Sequence, residues 1–283
     1  MARITLPHNP TLDGLVDLRT DIAFAEPGGE RLALQLLKPQ WSSGGKGFPL
    51  VVFIQGSGWT KPNQFWQLPQ LSLLARQGYV IASVTHRSFW DEPAPAFLRD
   101  VKSAIRFLRA HAADYDIDKE RICAWGTSSG GNTSLLLGLT GDDPAFSSDV
   151  HPEESSAVKA VVDCFGPTDM LKMAEVQYKG ILEDPQSRFR ALGGYDEAQC
   201  RHVLRRISPI EYLRPGLTLP PFLILHGDAD PVVLWEDSEA FYEKLIALGY
   251  EADLVQVTDA PHEGTFWSLP LLEIIFDFIR KHL

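Results

Sequence analysis

The chain has 283 residues, 45% hydrophobic and 22% charged, which is enough length and apolar content to bury a substantial core in one α/β domain. Its formal net charge of −11 repels phosphate-rich partners, so nucleic acid and anionic membrane surfaces are not expected, and strongly anionic substrates are disfavoured. Met1 to His8 lacks the apolar segment of a secretory signal and no run reaches the length of a membrane span, so a cytoplasmic protein is the expectation.

Asp17 to Phe24 alternates apolar and polar residues, Glu26 to Glu30 is rich in turn formers, and Leu32 to Leu37 alternates less strictly. This predicts a hairpin on an antiparallel edge. Trp41 to Gly47 reads as a flexible connector. From Pro49 onward, short apolar runs alternate with amphipathic stretches: Leu50 to Ile54, Tyr79 to Val84, Arg121 to Trp125, Val158 to Cys164, Phe222 to Leu225 and Ala252 to Val257. Near-continuous apolar strands suit a parallel sheet covered on both faces. Between them, Phe97, Leu98, Val101, Ala104, Ile105 and Leu108 recur at helical spacing, as do Phe241, Leu245 and Leu248, and then Leu272, Ile275, Phe276 and Ile279. The expectation is a mostly parallel, doubly wound sheet with ligands at the carboxyl ends of its strands. Asp169 to Leu219 is too long for an ordinary loop, so residues 169–219 are expected to form a small helical, cap-like insertion within a single domain, 1–283. Cys123, Cys164 and Cys200 are an odd, widely spaced set, and Cys123 and Cys164 fall in apolar runs that suit buried inert thiols rather than bridges or metal ligands.

The chemistry concentrates at Ala124-Trp125-Gly126-Thr127-Ser128-Ser129-Gly130-Gly131. Gly126, Ser128 and Gly130 match G-x-S-x-G between an apolar strand and a helix, the setting in which a serine is held at positive φ on a tight turn with its hydroxyl exposed. A serine hydroxyl needs a base, and the base needs an orienting carboxylate. Two later strands end in His226-Gly227-Asp228-Ala229-Asp230 and in Asp259-Ala260-Pro261-His262-Glu263, which nominates His262 as base and Asp230 as orienter. Asp228 and Asp169 are the alternative acids, with a turn-bracing role open to Asp228. His226 has a loop hydrogen bond available to it, and His86, at a strand end, is either structural or pocket-lining.

A tetrahedral oxyanion needs backbone N–H donors from the residue after the nucleophile and from the loop after an earlier strand. These are Ser129 and, in Gln55-Gly56-Ser57-Gly58-Trp59, Ser57 and Gly58. Trp59 is the favoured substrate contact among Trp59, Trp66, Trp90, Trp235 and Trp267. Gly56-x-Gly58 lacks the third glycine of a dinucleotide fingerprint, Gly45-Lys46 lacks the rest of a Walker loop, and His262-Glu263 lacks the second histidine of a zinc motif. No cofactor or metal is implied.

From Leu32 to Leu283 the chain resembles the α/β-hydrolase superfamily and its esterase/lipase branch. The carriers are Q-G-S-G-W at Gln55 to Trp59, W-G-T-S-S-G-G at Trp125 to Gly131, H-G-D-A-D-P-V-V at His226 to Val233 and P-H-E-G at Pro261 to Gly264. It is most similar to feruloyl/acetyl-xylan-type and hormone-sensitive-lipase-like carboxylesterases, whose usual loop is H-G-G-G-W; here Gln55 and Ser57 replace the histidine and middle glycine. The resemblance implies a Ser128–Asp230–His262 triad that hydrolyses a small ester, with an acylated carbohydrate as one candidate substrate. An amidase, arylformamidase or small peptidase using the same residues, and a non-catalytic binding module on this scaffold, are the alternatives. A homo-oligomer is left open.

Overall fold

The computed structural model describes residues 2–283. Eight strands run through it: β1 (Val16–Ala25), β2 (Leu32–Pro39), β3 (Phe48–Ile54), β4 (Val80–Val84), β5 (Ile117–Thr127), β6 (Ala160–Cys164), β7 (Phe222–Gly227) and β8 (Ala252–Val257). The helices are α1 (Leu68–Ala75), α2 (Ala96–Ala110), α3 (Ala112–Tyr115), α4 (Ser129–Thr140), α5 (Met170–Lys172), α6 (Arg188–Leu192), α7 (Glu197–Arg206), α8 (Trp235–Ala247) and α9 (Leu269–His282). The sheet order is β1-β2-β4-β3-β5-β6-β7-β8. Strand β2 is antiparallel to both β1 and β4, and every pairing from β4 through β8 is parallel. The expected edge hairpin and parallel body are both present.

The apolar runs of the central strands serve two cores at once. Successive side chains on a strand point to opposite faces, so Leu50, Val52 and Ile54 of β3 pack on one side with α2, α4 and α8, through residues such as Val101, Leu136 and Phe241. Val51 and Phe53 pack on the other side with α1 and α9, through Leu71, Ile275 and Phe276. Strand β1 has no second strand partner among the described residues and is largely exposed, and the charges of its Asp17, Arg19 and Asp21 oppose pairing along that edge. Strand β5 begins four residues before the expected Arg121 because Phe48 of β3 pairs with Ile117 across an irregularity in register. The polar Asp118-Lys119-Glu120 that follows carries no apolar signal to reveal it.

The turn between β5 and α4 holds Ser128 at φ 52° and ψ −122°, a strained conformation for a residue with a Cβ. A Cβ on Gly126 would lie 2.0 Å from the Gly130 carbonyl oxygen, which is the expected clash across the bend. On Gly130 it would meet a different neighbour, the Ile54 carbonyl oxygen of β3, also at 2.0 Å. Both obstacles are backbone and cannot swing aside. Gly130→Ala should therefore lower the thermal midpoint by about 2–5 °C, the scale of an overpacked core site in a chain of this size. Differential scanning calorimetry reads it, and an unchanged midpoint would contradict the packing described.

Residues 169–219 carry α5, α6, α7 and a 3-10 turn at Pro209–Tyr212. Asn132 of α4 donates from Nδ2 to the carbonyls of Pro167, just before the segment, and Ile207, after α7, fastening the segment to the helix behind Ser128. Gln177 and Tyr178 both donate to the Val232 carbonyl.

Asp163, on β6 beneath the turn, is fully buried and accepts from the Gly166 N–H at 2.9 Å. Burial raises its carboxyl well above the usual range, against the smaller opposing pull of that hydrogen bond. A folded-state pKa above the unfolded one means stability is full at low pH and is lost as pH rises past about 4. Asp163→Asn keeps the acceptor oxygen and removes the titration. Its midpoint should exceed the wild type's by a margin that is wider at pH 7 than at pH 4, and a constant or shrinking margin would refute the buried neutral acid.

Candidate active site

Three loops at the carboxyl edge of the sheet bring the predicted side chains together. Ser128 follows β5, Asp230 follows β7 and His262 follows β8. His262 Nε2 lies 2.9 Å from Ser128 Oγ, and His262 Nδ1 lies 2.6 Å from Asp230 Oδ2. The nitrogen facing a carboxylate must carry the proton, so Nδ1–H donates to Asp230 and Nε2 accepts from the Ser128 hydroxyl.

Asp230 is more elaborately held than the sequence suggests. Its Oδ1 accepts from the N–H groups of Val232 and Val233 at 2.8 and 3.0 Å. Its Oδ2 faces a second imidazole, His226 Nε2, at 3.1 Å. His226 is fully buried and its Nε2 also faces the Val233 carbonyl at 3.0 Å, so this nitrogen bears the proton; Nδ1 accepts from the Ser238 hydroxyl at 2.7 Å. Four donors thus converge on one buried carboxylate. Burial pushes Asp230 up, but hydrogen bonds from His226 and His262 outweigh it and hold the group well below the usual carboxylate range. The spacing of His226 and Asp230 in one strand-exit loop was visible in the sequence. Their contact depends on the loop's curl.

The competing acids have other partners. Asp228 accepts from Gln256 and from the Asp259 N–H, bracing the β7 and β8 exits, while Asp169 accepts from the Lys172 N–H at the start of α5. His86 is buried with Nδ1 2.7 Å from the Arg87 carbonyl and its ring against Phe97, outside the cavity lining. Burial lowers its pKa.

The loop after β3 presses against the turn, with the Gly56 N–H donating to Thr127 Oγ1 at 2.8 Å. Of the two donors expected from this loop, Ser57 is engaged: its N–H donates to Ser129 Oγ at 3.0 Å. The Gly58 N–H makes no such bond among the described residues, and Ser129 supplies its N–H from the first turn of α4, where backbone donors lack helical acceptors. The Ser129 hydroxyl therefore latches the loop to the helix.

A cavity of about 280 Å³ opens above Ser128. Trp59, Phe89, Tyr178, Phe189 and Val233 give it apolar walls, so Trp59 reaches the cavity while Trp66, Trp90, Trp235 and Trp267 do not line it. Arg188 of α6 also lines the cavity, and sequence reading missed it because Ser187 signals at most a helix start and nothing nearby shows that this helix faces the Gly58 loop. Cys123, Cys164 and Cys200 are buried and unpaired. Among the described residues no helix is long and apolar enough to cross a membrane.

The mixed sheet, with Ser128, His262 and Asp230 gathered at its carboxyl edge, has the α/β-hydrolase fold seen in solved esterase structures. Residues 34–245 match the BD-FAE family model, and the chain belongs to that family. It is similar to Esterase LipC of Mycobacterium tuberculosis, 31% identical over 204 residues that cover 71% of this chain and 49% of LipC. Among solved structures, a truncated form of a carbohydrate esterase from gut microbiota superposes with a TM-score of 0.79 at 27% identity, covering 97% of this chain and 99% of that one. A bifunctional GH43-CE protein of Bacteroides eggerthii gives a TM-score of 0.80 at 31% identity, over 94% of this chain and 38% of the other. The chain spans about half the length of several curated relatives it matches.

Proposed function

We propose that the protein is a serine carboxylester hydrolase working through an acyl-enzyme. The hydrogen-bonded line from Ser128 through His262 to Asp230 carries this reading. Ser128 Oγ attacks the ester carbonyl while His262 Nε2 takes its proton, and Asp230 stabilises the imidazolium that forms. The oxyanion is received by the N–H groups of Ser129 and Gly58, with Ser57 positioning the loop through its bond to Ser129. Collapse expels the alcohol, which leaves with the proton from His262. Water, deprotonated by the same nitrogen, then attacks the acyl carbon and releases the acid and Ser128.

A cavity of about 280 Å³ sits at the small end of ligand pockets, which favours short acyl groups or a single aromatic ring, of acetyl or feruloyl type, over long lipid chains. The names of the carbohydrate-esterase neighbours support an acylated sugar on the alcohol side. The insertion 169–219 acts as a cap, because Met173, Tyr178, Ile181 and Leu192 wall the cavity.

A fluorophosphonate probe should label the wild type at Ser128, and absence of labelling would favour a binding module. Rates on acetyl, butyryl, longer acyl and feruloyl esters should fall off with chain length, and matched esters should outpace formamides and aminoacyl amides.

A further inference from the structure

We propose that Arg188 selects esters bearing a carboxylate close to the scissile bond, an inference that rests on the acyl-transfer reading above. Among the described residues that line the cavity, Arg188 alone carries a formal charge, and the others are apolar or hydroxyl-bearing. Its guanidinium is fixed at two points: Nη2 donates to the Gly58 carbonyl at 3.1 Å, and the group lies 5.6 Å from the centroid of the Phe89 ring. No acidic side chain among the described residues pairs with it, and a guanidinium offers five N–H donors of which the Gly58 contact uses one. The remaining fork matches the two oxygens of a carboxylate.

The position sets the reach. Gly58 offers its N–H toward the oxyanion and its carbonyl to Arg188, so one residue of backbone separates the two. Two hydrogen bonds and the span of one residue place the guanidinium roughly 6–9 Å from the reacting carbonyl oxygen. A carboxylate a few bonds from the ester carbon bridges that distance, whether it belongs to the acyl group or to the alcohol. The chain's net charge of −11 argues against anionic ligands at long range, but charges beyond about 8 Å are largely screened at physiological salt, while a cation in an apolar cleft acts at contact.

The test compares kcat/KM for two matched pairs in the wild type, Arg188→Leu and Arg188→Lys. Mono(4-nitrophenyl) glutarate against 4-nitrophenyl valerate probes the acyl side, and 3-acetoxybenzoate against 3-methylphenyl acetate probes the alcohol side. In at least one pair, the anionic-to-neutral ratio should fall about 10- to 100-fold in Arg188→Leu, chiefly through KM, with partial recovery in Arg188→Lys. The wild-type ratio in that pair should shrink as salt is raised, because Arg188 is exposed. A ratio unchanged in both pairs overturns the proposal, as does an equal fall for all four esters, which would mark Arg188 as a brace for the Gly58 loop. Failure of the underlying reading looks different: the wild type would cleave neither neutral ester and would take no fluorophosphonate label.

Discussion

Ser128→Ala should abolish ester hydrolysis while leaving the fold intact. Removing Oγ deletes the atom that bonds to the acyl carbon, and neither neighbour can substitute. Ser129 Oγ accepts from the Ser57 N–H, and Thr127 Oγ1 accepts from the Gly56 N–H, so both hydroxyls are fastened to the loop behind the turn. The rate on a short 4-nitrophenyl ester should drop by about three or more orders of magnitude, with the residue of activity coming from the oxyanion donors alone. Circular dichroism should be unchanged, and the midpoint should hold or rise slightly, because alanine loses only one hydroxyl at a site whose strain lies in the backbone. A variant retaining more than a tenth of wild-type activity would sink the nucleophile assignment.

Asp230→Asn should lower kcat by about three to four orders of magnitude with a much smaller change in KM. The reason lies in the saturation of the carboxylate. One oxygen takes two backbone N–H groups and the other faces two imidazoles, so a carboxamide in either orientation turns its NH₂ toward two donors. His262 then loses the acceptor that keeps its proton on Nδ1, and the tautomer with Nε2–H cannot take the proton of Ser128. His226→Leu, which removes one donor of four, should cost far less in kcat than Asp230→Asn. If Asp230→Asn stays within about tenfold of the wild type, Asp230 does not orient the base. Asp228 is a poor substitute, being occupied by Gln256 and Asp259.

The motifs at Gly126 to Gly130, Asp230 and His262 were legible because each stands at the end of an apolar run, and parallel strands deliver their carboxyl ends to one rim. The helical pattern from Phe97 to Leu108 was legible for a similar reason: the apolar stripe of α2 packs against the sheet, which imposes a strict spacing, while its other, polar faces are buried too. Other features left no such trace. The start of β5 is polar, and it is a strand only because β3 lies beside it. His226 read as a loop residue, yet the curl of the β7 exit turns its ring onto Asp230. Ser57 and Gly58 were indistinguishable as donors until Ser129 Oγ was seen to occupy one of them.

By itself the sequence determined the run of strands, the parallel character of the sheet and the three residues nominated for the chemistry, because local periodicity and turn chemistry are written in neighbouring residues. Tertiary structure alone decided the sheet order, the union of Ser128, His262 and Asp230 across 134 positions of chain, and the charge of Arg188 at the cavity. Contacts between distant segments arise from burying apolar faces against one another, and the polar groups carried to the rim by that packing have no nearby residue to announce where they will meet.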